Sequence, residues 1–375
     1  MSDYFGKEIF KLGFGLMRLP KLADGKTIDV AQTSEMVDRF LAAGGTYFDT
    51  AYVYDNGGSE AAARKALVER HPRESFTLCT KLNAWLQCHD EASAKQQFYT
   101  SLERTGAGYF DYYLLHALQS NNYRKYDEYH IWDFAAELKA KGLVRHYGFS
   151  FHASPELLDQ LLTAHPEVDF IQLQINYADW EDEKVASRAN YEVARRHGKQ
   201  IVVMEPVKGG KLADPPEEVK KLMLAHAPEA SFASWAIRFV ASLDGVLSVL
   251  SGMSNVAQMR DNLSYMTDFR PLDAAEREVI RQAQVILARS AAIPCTACRY
   301  CVEGCPKQIP IPEIMEALNL HLVSGQTAEG RAAYEAATTG RGCAADCVNC
   351  KKCTQVCPQH IEIPAHLRTA AELFR

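Results

Sequence analysis

The 375-residue chain has no apolar run approaching the roughly 18 residues that a membrane-spanning helix requires, so no membrane association is expected. Its N-terminus, MSDYFGKEIF, lacks the basic segment and apolar stretch of a secretory signal, and a cytoplasmic location is the expectation. Positive charge is also in short supply. With 41 Lys and Arg against 47 Asp and Glu the net charge is -6, and no basic cluster offers a surface for nucleic acid. Cysteine is nearly absent from the first three quarters, where only Cys79 and Cys88 occur. A secreted disulfide scaffold would spread its cysteines along the chain, and this distribution excludes one.

What is present is an ordinary globular composition in a chain too long for one core, so a large domain and a small one are expected. From residue 8 to about 285, short apolar, β-branched or aromatic runs alternate with helical patterns. Eight strands are predicted: LGFGLMRL (12–19), TYFDTA (46–51), FTLCTKL (76–82), FDYYLLH (110–116), VRHYGFS (144–150), FIQLQIN (170–176), QIVVMEP (200–206) and GVLSVLSG (245–252). Helices fill the gaps, among them 33–44 and 127–142, each ending on glycine. The runs are continuous rather than alternating, as in parallel strands covered by helices. A doubly wound sheet competes, but a count of eight favours a (β/α)8 TIM barrel over residues 1–285. Residues 286–375 read as a mainly α-helical, ferredoxin-like domain too small to build much core without a metal staple.

Barrel active sites lie at the C-terminal ends of the strands. Asp49 and Tyr54 follow the second strand, Lys81 ends the third and His116 the fourth. One charged strand end is more often a solvated rim than a catalyst, yet four titratable groups on three consecutive ends form a set. Their chemistry is complementary. A phenol is a poor acid near neutrality unless a cation lowers its pKa. Lys81 is expected to be that cation, held by Asp49, while His116 orients a carbonyl oxygen. The set would protonate an oxyanion as hydride reaches the carbonyl carbon.

GFGLMRL, GGTYFDTAYVYDNGGSE, CTKL, DYYLLH, KGLVRHYGFSFH, IQLQINYAD and GMSNVAQMRDNL together resemble the aldo-keto reductase superfamily across nearly all of residues 8–265. The resemblance implies that Asp49, Tyr54, Lys81 and His116 carry proton transfer, with Tyr54 as general acid. It implies NADP(H) or NAD(H) as cofactor and a small carbonyl or alcohol as substrate. Ser150 and Gln174 match positions that hold the nicotinamide carboxamide, Asn176 stands where the family more often has Glu, and Met204 falls where many members place an aromatic ring. The loops VKGGKL and GMSNVAQMRDN lie where barrels bind phosphate, offering Gly209, Gly210, Gly252, Ser254 and Asn255. Gln258 and Asn262 match positions near the adenosine end. Where several members carry Lys and Arg for a 2′-phosphate, this chain has Gly252 and Gln258, which leaves Lys208 and Arg260 as substitutes. Trp85, Tyr52, His152, Tyr177 and Trp180 are candidate pocket lining. The glycines at 57–59 and 209–210 serve equally well as tight turns.

Nine of the cysteines lie at or beyond position 295. CTACRYCVEGCP (295–306) and CVNCKKCTQVCP (347–358) both read C-x2-C-x2-C-x3-C-P, the spacing of bacterial two-cluster ferredoxins, in which the fourth cysteine ligates the other cluster. By that rule Cys295, Cys298, Cys301 and Cys357 hold one 4Fe–4S cluster, and Cys347, Cys350, Cys353 and Cys305 hold the second. Zinc is the rival, although zinc ribbons use two pairs rather than two runs of four. Cys343 is left over. The long interval between the blocks resembles the α-helical ferredoxin domains of respiratory dehydrogenases, and aldo-keto reductases with such an extension form a subgroup. Hydride moves as an electron pair and clusters move electrons singly, so the clusters are structural, redox-sensing or electron-transferring, with a redox protein as an eventual partner. No independent flavin motif is present, although a flavin could occupy the barrel's phosphate site. A non-catalytic nucleotide redox sensor is the alternative, and the intact tetrad counts against it.

Overall fold

In the computed structural model, which describes residues 9–290 and 292–374, all eight apolar runs become strands. They are β1 (Leu12–Gly15), β2 (Tyr47–Asp49), β3 (Thr77–Leu82), β4 (Phe110–Leu118), β5 (Val144–Phe151), β6 (Phe170–Gln174), β7 (Gln200–Met204) and β8 (Val246–Ser251). Each pairs in parallel with its neighbour in sequence and β1 closes on β8. The result is the expected (β/α)8 barrel. Its interior is filled by large side chains, including Tyr47, Tyr112, Phe170 and Leu247, so it is a packed core and not a pore. A second apolar layer, with Phe14, Phe48, Phe98 and Leu115, joins the strands to the helices around them.

Three elements differ from the sequence reading by more than two residues. β1 stops at Gly15 because Leu16–Arg18 tightens into a 3-10 turn, which brings Arg18 to the barrel mouth. The first helix spans Val30–Ala42, starting earlier than expected, because Asp29 caps it by accepting the Gln32 N–H at 2.9 Å. The stretch expected as one helix over 127–142 is two, Arg124–Glu128 and Ile131–Ala140, separated where His130 takes a left-handed conformation (φ 49). The helix Ala274–Leu287 packs through Val279 and Ile280 with Trp235 on the barrel side, and the expected division at 285 lies in its last turn.

The C-terminal region is mainly helical, as expected, with helices Ile311–Ser324, Thr327–Thr338 and Ile363–Leu373. It has a separate small core in which Ile309, Ile314, Met315 and Leu367 pack with Cys301 and Cys357. Thiols thus take positions that aliphatic side chains fill in a larger domain. This region sits on the C-terminal mouth of the barrel. Arg18 Nη2 donates to Thr296 O (2.6 Å), Lys211 Nζ to Ile293 O (2.9 Å), Asn121 Nδ2 to Gln355 O (3.0 Å) and Gln359 Nε2 to Gln174 Oε1 (3.0 Å). Gly209 permits the approach: its φ is 66, and a Cβ there would stand 2.6 Å from Thr296 O. Among the described residues no helix is long and apolar enough to cross a membrane.

Candidate active site and cysteine centres

The four titratable strand-end residues meet. Lys81, fully buried, donates to Asp49 Oδ1 at 2.5 Å and to Thr50 O at 2.6 Å, while Gln172 Nε2 donates to Asp49 Oδ2 at 3.1 Å. The ammonium lies 4.7 Å from the centre of the Tyr54 ring, and the His116 ring meets Tyr54 edge-on at 5.7 Å. Tyr54 opens a short turn, Tyr54–Gly57, directly after β2. That loop is tied down behind it: the Thr50 and Ser59 hydroxyls bond at 2.6 Å, and Ser59 donates to Leu16 O at 2.9 Å. Ser59 is thereby committed to the turn, in which Asp55, Asn56 and Gly57 are all left-handed (φ 52, 53 and 87).

Electrostatics correct one expectation. Burial first, and the Asp49 charge second, push the Tyr54 phenol well above its ordinary value instead of below it. The physical reason is that the Lys81 ammonium is already committed to a carboxylate at contact distance, so it has little net field to lend the phenol. Burial, followed by the Lys81 charge, drives His116 well below the usual histidine range, which makes it neutral at physiological pH.

Beyond these residues opens a cavity of about 660 Å³, large enough for a dinucleotide fragment and a small substrate. Of the residues matched to cofactor positions, Gln174, Met204, Gly209, Gly210, Gly252, Ser254, Gln258 and Asn262 line it. Ser150 and Asn255 are not among the lining residues. The Ser150 hydroxyl accepts the Ala117 N–H at 2.7 Å and supports the left-handed residue after His116 (φ 54). Asn255 caps the helix Val256–Met266 by accepting the Gln258 N–H at 2.9 Å. Gln258 Oε1 in turn accepts the Ser254 N–H at 2.7 Å, and Asn262 Nδ2 donates to Ser251 Oγ at 2.7 Å. Asn176 is buried against Asp179 and Glu205 O, away from the cavity. Neither substitute cation is on the cavity wall: Lys208 is paired with buried Asp179, and Arg260 is exposed elsewhere on its helix. Among the expected aromatic lining, His152 faces the cavity, Trp85 stands beside the site, and Tyr177 and Trp180 pack against Phe239 in the core. Tyr52 instead stacks on Arg104.

Several residues of the cavity were not anticipated. Arg18 lines it and approaches Glu205 at 4.0 Å, and burial raises the pKa of the Glu205 carboxyl. Arg18 was legible as the polar end of the first apolar run. Thr296, Cys298, Tyr300, Pro358 and Gln359 of the cysteine blocks form another wall. Nothing in their spacing signals this, because the contacts join distant parts of the chain, Thr296 with both Gly209 and Arg18.

The cysteines gather as the cross-ligation rule requires. Cys295, Cys298, Cys301 and Cys357 surround one void with Ile311 and Met315, and Cys305, Cys347, Cys350 and Cys353 surround a second. Among the described residues no three Cys, His, Asp or Glu converge tightly enough for a single metal ion. Four thiols spaced around a void suit a polynuclear body better than a lone tetrahedral zinc, and the all-sulfur donor set suits iron and sulfide. Burial pushes Cys298 up to about 12 and also raises Cys295, Cys301 and Cys357, so metal binding would have to displace their protons. Cys343 lines neither void.

A parallel barrel with a buried carboxylate–ammonium pair under a phenol, roofed by a cysteine-rich helical module, defines a two-part redox protein. The chain belongs to the aldo/keto reductase family, whose model matches residues 11–284, and residues 294–362 match the 4Fe-4S dicluster domain model. Among curated proteins it is 24% identical over 287 residues to the uncharacterized oxidoreductase YqkF of Bacillus subtilis (strain 168), covering 68% of this chain and 87% of that one. Among solved structures it is similar to the holo form of aldo-keto reductase AKR11C1 from Bacillus halodurans (25% identity, TM-score 0.57), covering 73% of this chain and 91% of that one. It also shares its fold with an aldo-keto reductase from Klebsiella pneumoniae in complex with NADPH (20% identity, TM-score 0.59), with coverage of 74% and 92%.

Proposed function

We propose that this chain is an NAD(P)H-dependent oxidoreductase that reduces a small aldehyde or ketone, or oxidises the alcohol, and that it carries two 4Fe–4S clusters. The observation that carries the reading is the buried Asp49–Lys81 pair beneath Tyr54 and beside neutral His116 at the cavity. When bound, the nicotinamide supplies hydride and the clusters supply single electrons. The chain's own work concerns the oxygen. His116 and Tyr54 hold the carbonyl oxygen, and Tyr54 Oη gives it a proton as negative charge develops there. A phenol with a raised pKa is suited to this timing. It keeps its proton at neutral pH, yet an alkoxide is a stronger base and takes it. The Asp49–Lys81 pair fixes the ammonium against the ring, and Gln172 holds the second carboxylate oxygen.

The nucleotide would lie along Gln174, Met204, Gly252, Ser254, Gln258 and Asn262, with Gly209 and Gly210 leaving room for backbone approach. Ser150 and Asn255 would act by shaping the loops. Arg18 is the cationic side chain on that wall, and the NADPH named in the Klebsiella pneumoniae complex is consistent with a phosphate-bearing ligand there. The two quartets, Cys295/298/301/357 and Cys347/350/353/305, would each hold one cluster. A second reading, in which electrons pass between the first cluster and the barrel site, is favoured by one observation: Thr296, Cys298 and Gln359 line both the cavity and the first quartet's void.

Tyr54→Phe tests the main reading. With 4-nitrobenzaldehyde and NADPH, turnover should fall by about 10²- to 10⁴-fold while nucleotide affinity stays within about twofold. Full turnover in that variant would sink the proposed proton transfer.

A further inference from the structure

The Tyr300 hydroxyl lies 3.2 Å from His116 Nε2, and its phenol lines the same cavity as the phenol of Tyr54. His116 and Tyr54 are the two groups assigned above to the carbonyl oxygen. We propose that Tyr300 is a built-in occupant of the substrate-oxygen seat, which a carbonyl or carboxylate must displace in order to bind. The proposal rests on the carbonyl-reducing reading of the Tyr54–His116 pair.

The cysteine loop does not need a tyrosine there. Tyr300 precedes the third cysteine of the first block, and the same place in the second block is Lys352, which is exposed. Both residues open a single helical turn, Tyr300–Glu303 and Lys352–Gln355, after a left-handed residue (Arg299, φ 69; Lys351, φ 59). The backbone therefore forms equally well around either side chain. In the first block, the tyrosine ring lies edge-on to His116 at 6.1 Å and to Trp85 at 6.5 Å, which aims the hydroxyl into the tetrad. Since Tyr300 stands between Cys298 and Cys301, displacing it moves the segment joining two thiols of the first quartet. Occupation of the seat and the geometry of that quartet are thus coupled.

A site that must be vacated binds more weakly by the fraction of time it is open. Tyr300→Phe removes the competing hydroxyl and keeps the ring. In the holoenzyme, with NADPH and 4-nitrobenzaldehyde, KM should fall by about five- to tenfold, the loss of one net hydrogen bond to His116, with the gain lying in KM and not in kcat. A KM that is unchanged or raised would overturn the proposal, since a hydroxyl that helps bind substrate gives that result. Iron content equal to the parent's shows that the variant is intact.

A second arm needs no turnover. Acetate titrated into the NADP⁺-loaded holoenzyme should change the visible circular dichroism of the parent and bind about five- to tenfold more tightly to Tyr300→Phe. A parent spectrum unmoved at saturating acetate, or equal affinities, counts against displacement. If the aldehyde is never reduced but the acetate arm holds, the carbonyl-reducing reading fails alone.

Discussion

Ala297, Arg299 and Gln308 take positive φ values of 53, 69 and 51 around the first cysteine block, and Asn349, Lys351 and His360 take 53, 59 and 51 around the second. The blocks are two copies of one loop, each followed by a helix that opens on Ile-Pro, Ile311–Ser324 and Ile363–Leu373. Their surroundings differ. The first turns Thr296, Cys298 and Tyr300 onto the barrel cavity, whereas the second leaves Cys350 exposed and Val348 57% exposed. Identical spacing thus gathers the thiols around two voids and says nothing of neighbours. The duplicated thiols line the two voids, and the unduplicated residues between them differ in what they face.

The comparison can be broken most sharply at equivalent thiols. Cys298→Ala and Cys350→Ala should each strip iron from one quartet. Only Cys298→Ala should also raise KM for 4-nitrobenzaldehyde, by about tenfold or more, because Cys298 lines the cavity as well. Equal kinetic effects would mean that the blocks are not functionally distinct.

A smaller effect sits where the module faces the barrel. Burial, followed by the charge of His360, lowers His152 to about 3 from an ordinary 6.5. The unfolded chain takes up a proton that the folded chain refuses, so stability is complete above about pH 6.5 and is lost as pH falls towards 3. The slope is at most about 1.4 kcal/mol per pH unit, and His152→Gln should flatten part of the fall in Tm across that window. The smallest expected effect is that of Gln359→Ala, which removes the bond to Gln174 and should cost about 1 kcal/mol, with nucleotide affinity reduced in step.

The barrel was legible because parallel strands buried on both faces leave continuous apolar runs, and strand ends can be read for polar residues. Asp49, Lys81 and His116 were found in this way. What escaped was tertiary. Burial and the prior claim of Asp49 on Lys81 reverse the expected pKa direction at Tyr54, and neither is visible in spacing. The side chains of Ser150 and Asn255, read as ligand contacts, each also accept a backbone N–H that shapes the adjoining loop. Tyr300 and Gln359 reach the site only because the module folds back over the mouth, a contact that no local pattern encodes. The thiols were the opposite case. Their grouping follows from a spacing rule, and the two quartets gather around separate voids as that rule requires.

The central claim is that two polynuclear clusters roof a carbonyl-reducing barrel. Anaerobic purification with quantification of iron and acid-labile sulfide tests it most directly. The account predicts about eight iron and about eight sulfide per chain, lost together on removal of either quartet's thiols in roughly equal halves. Stoichiometric zinc without labile sulfide would contradict it.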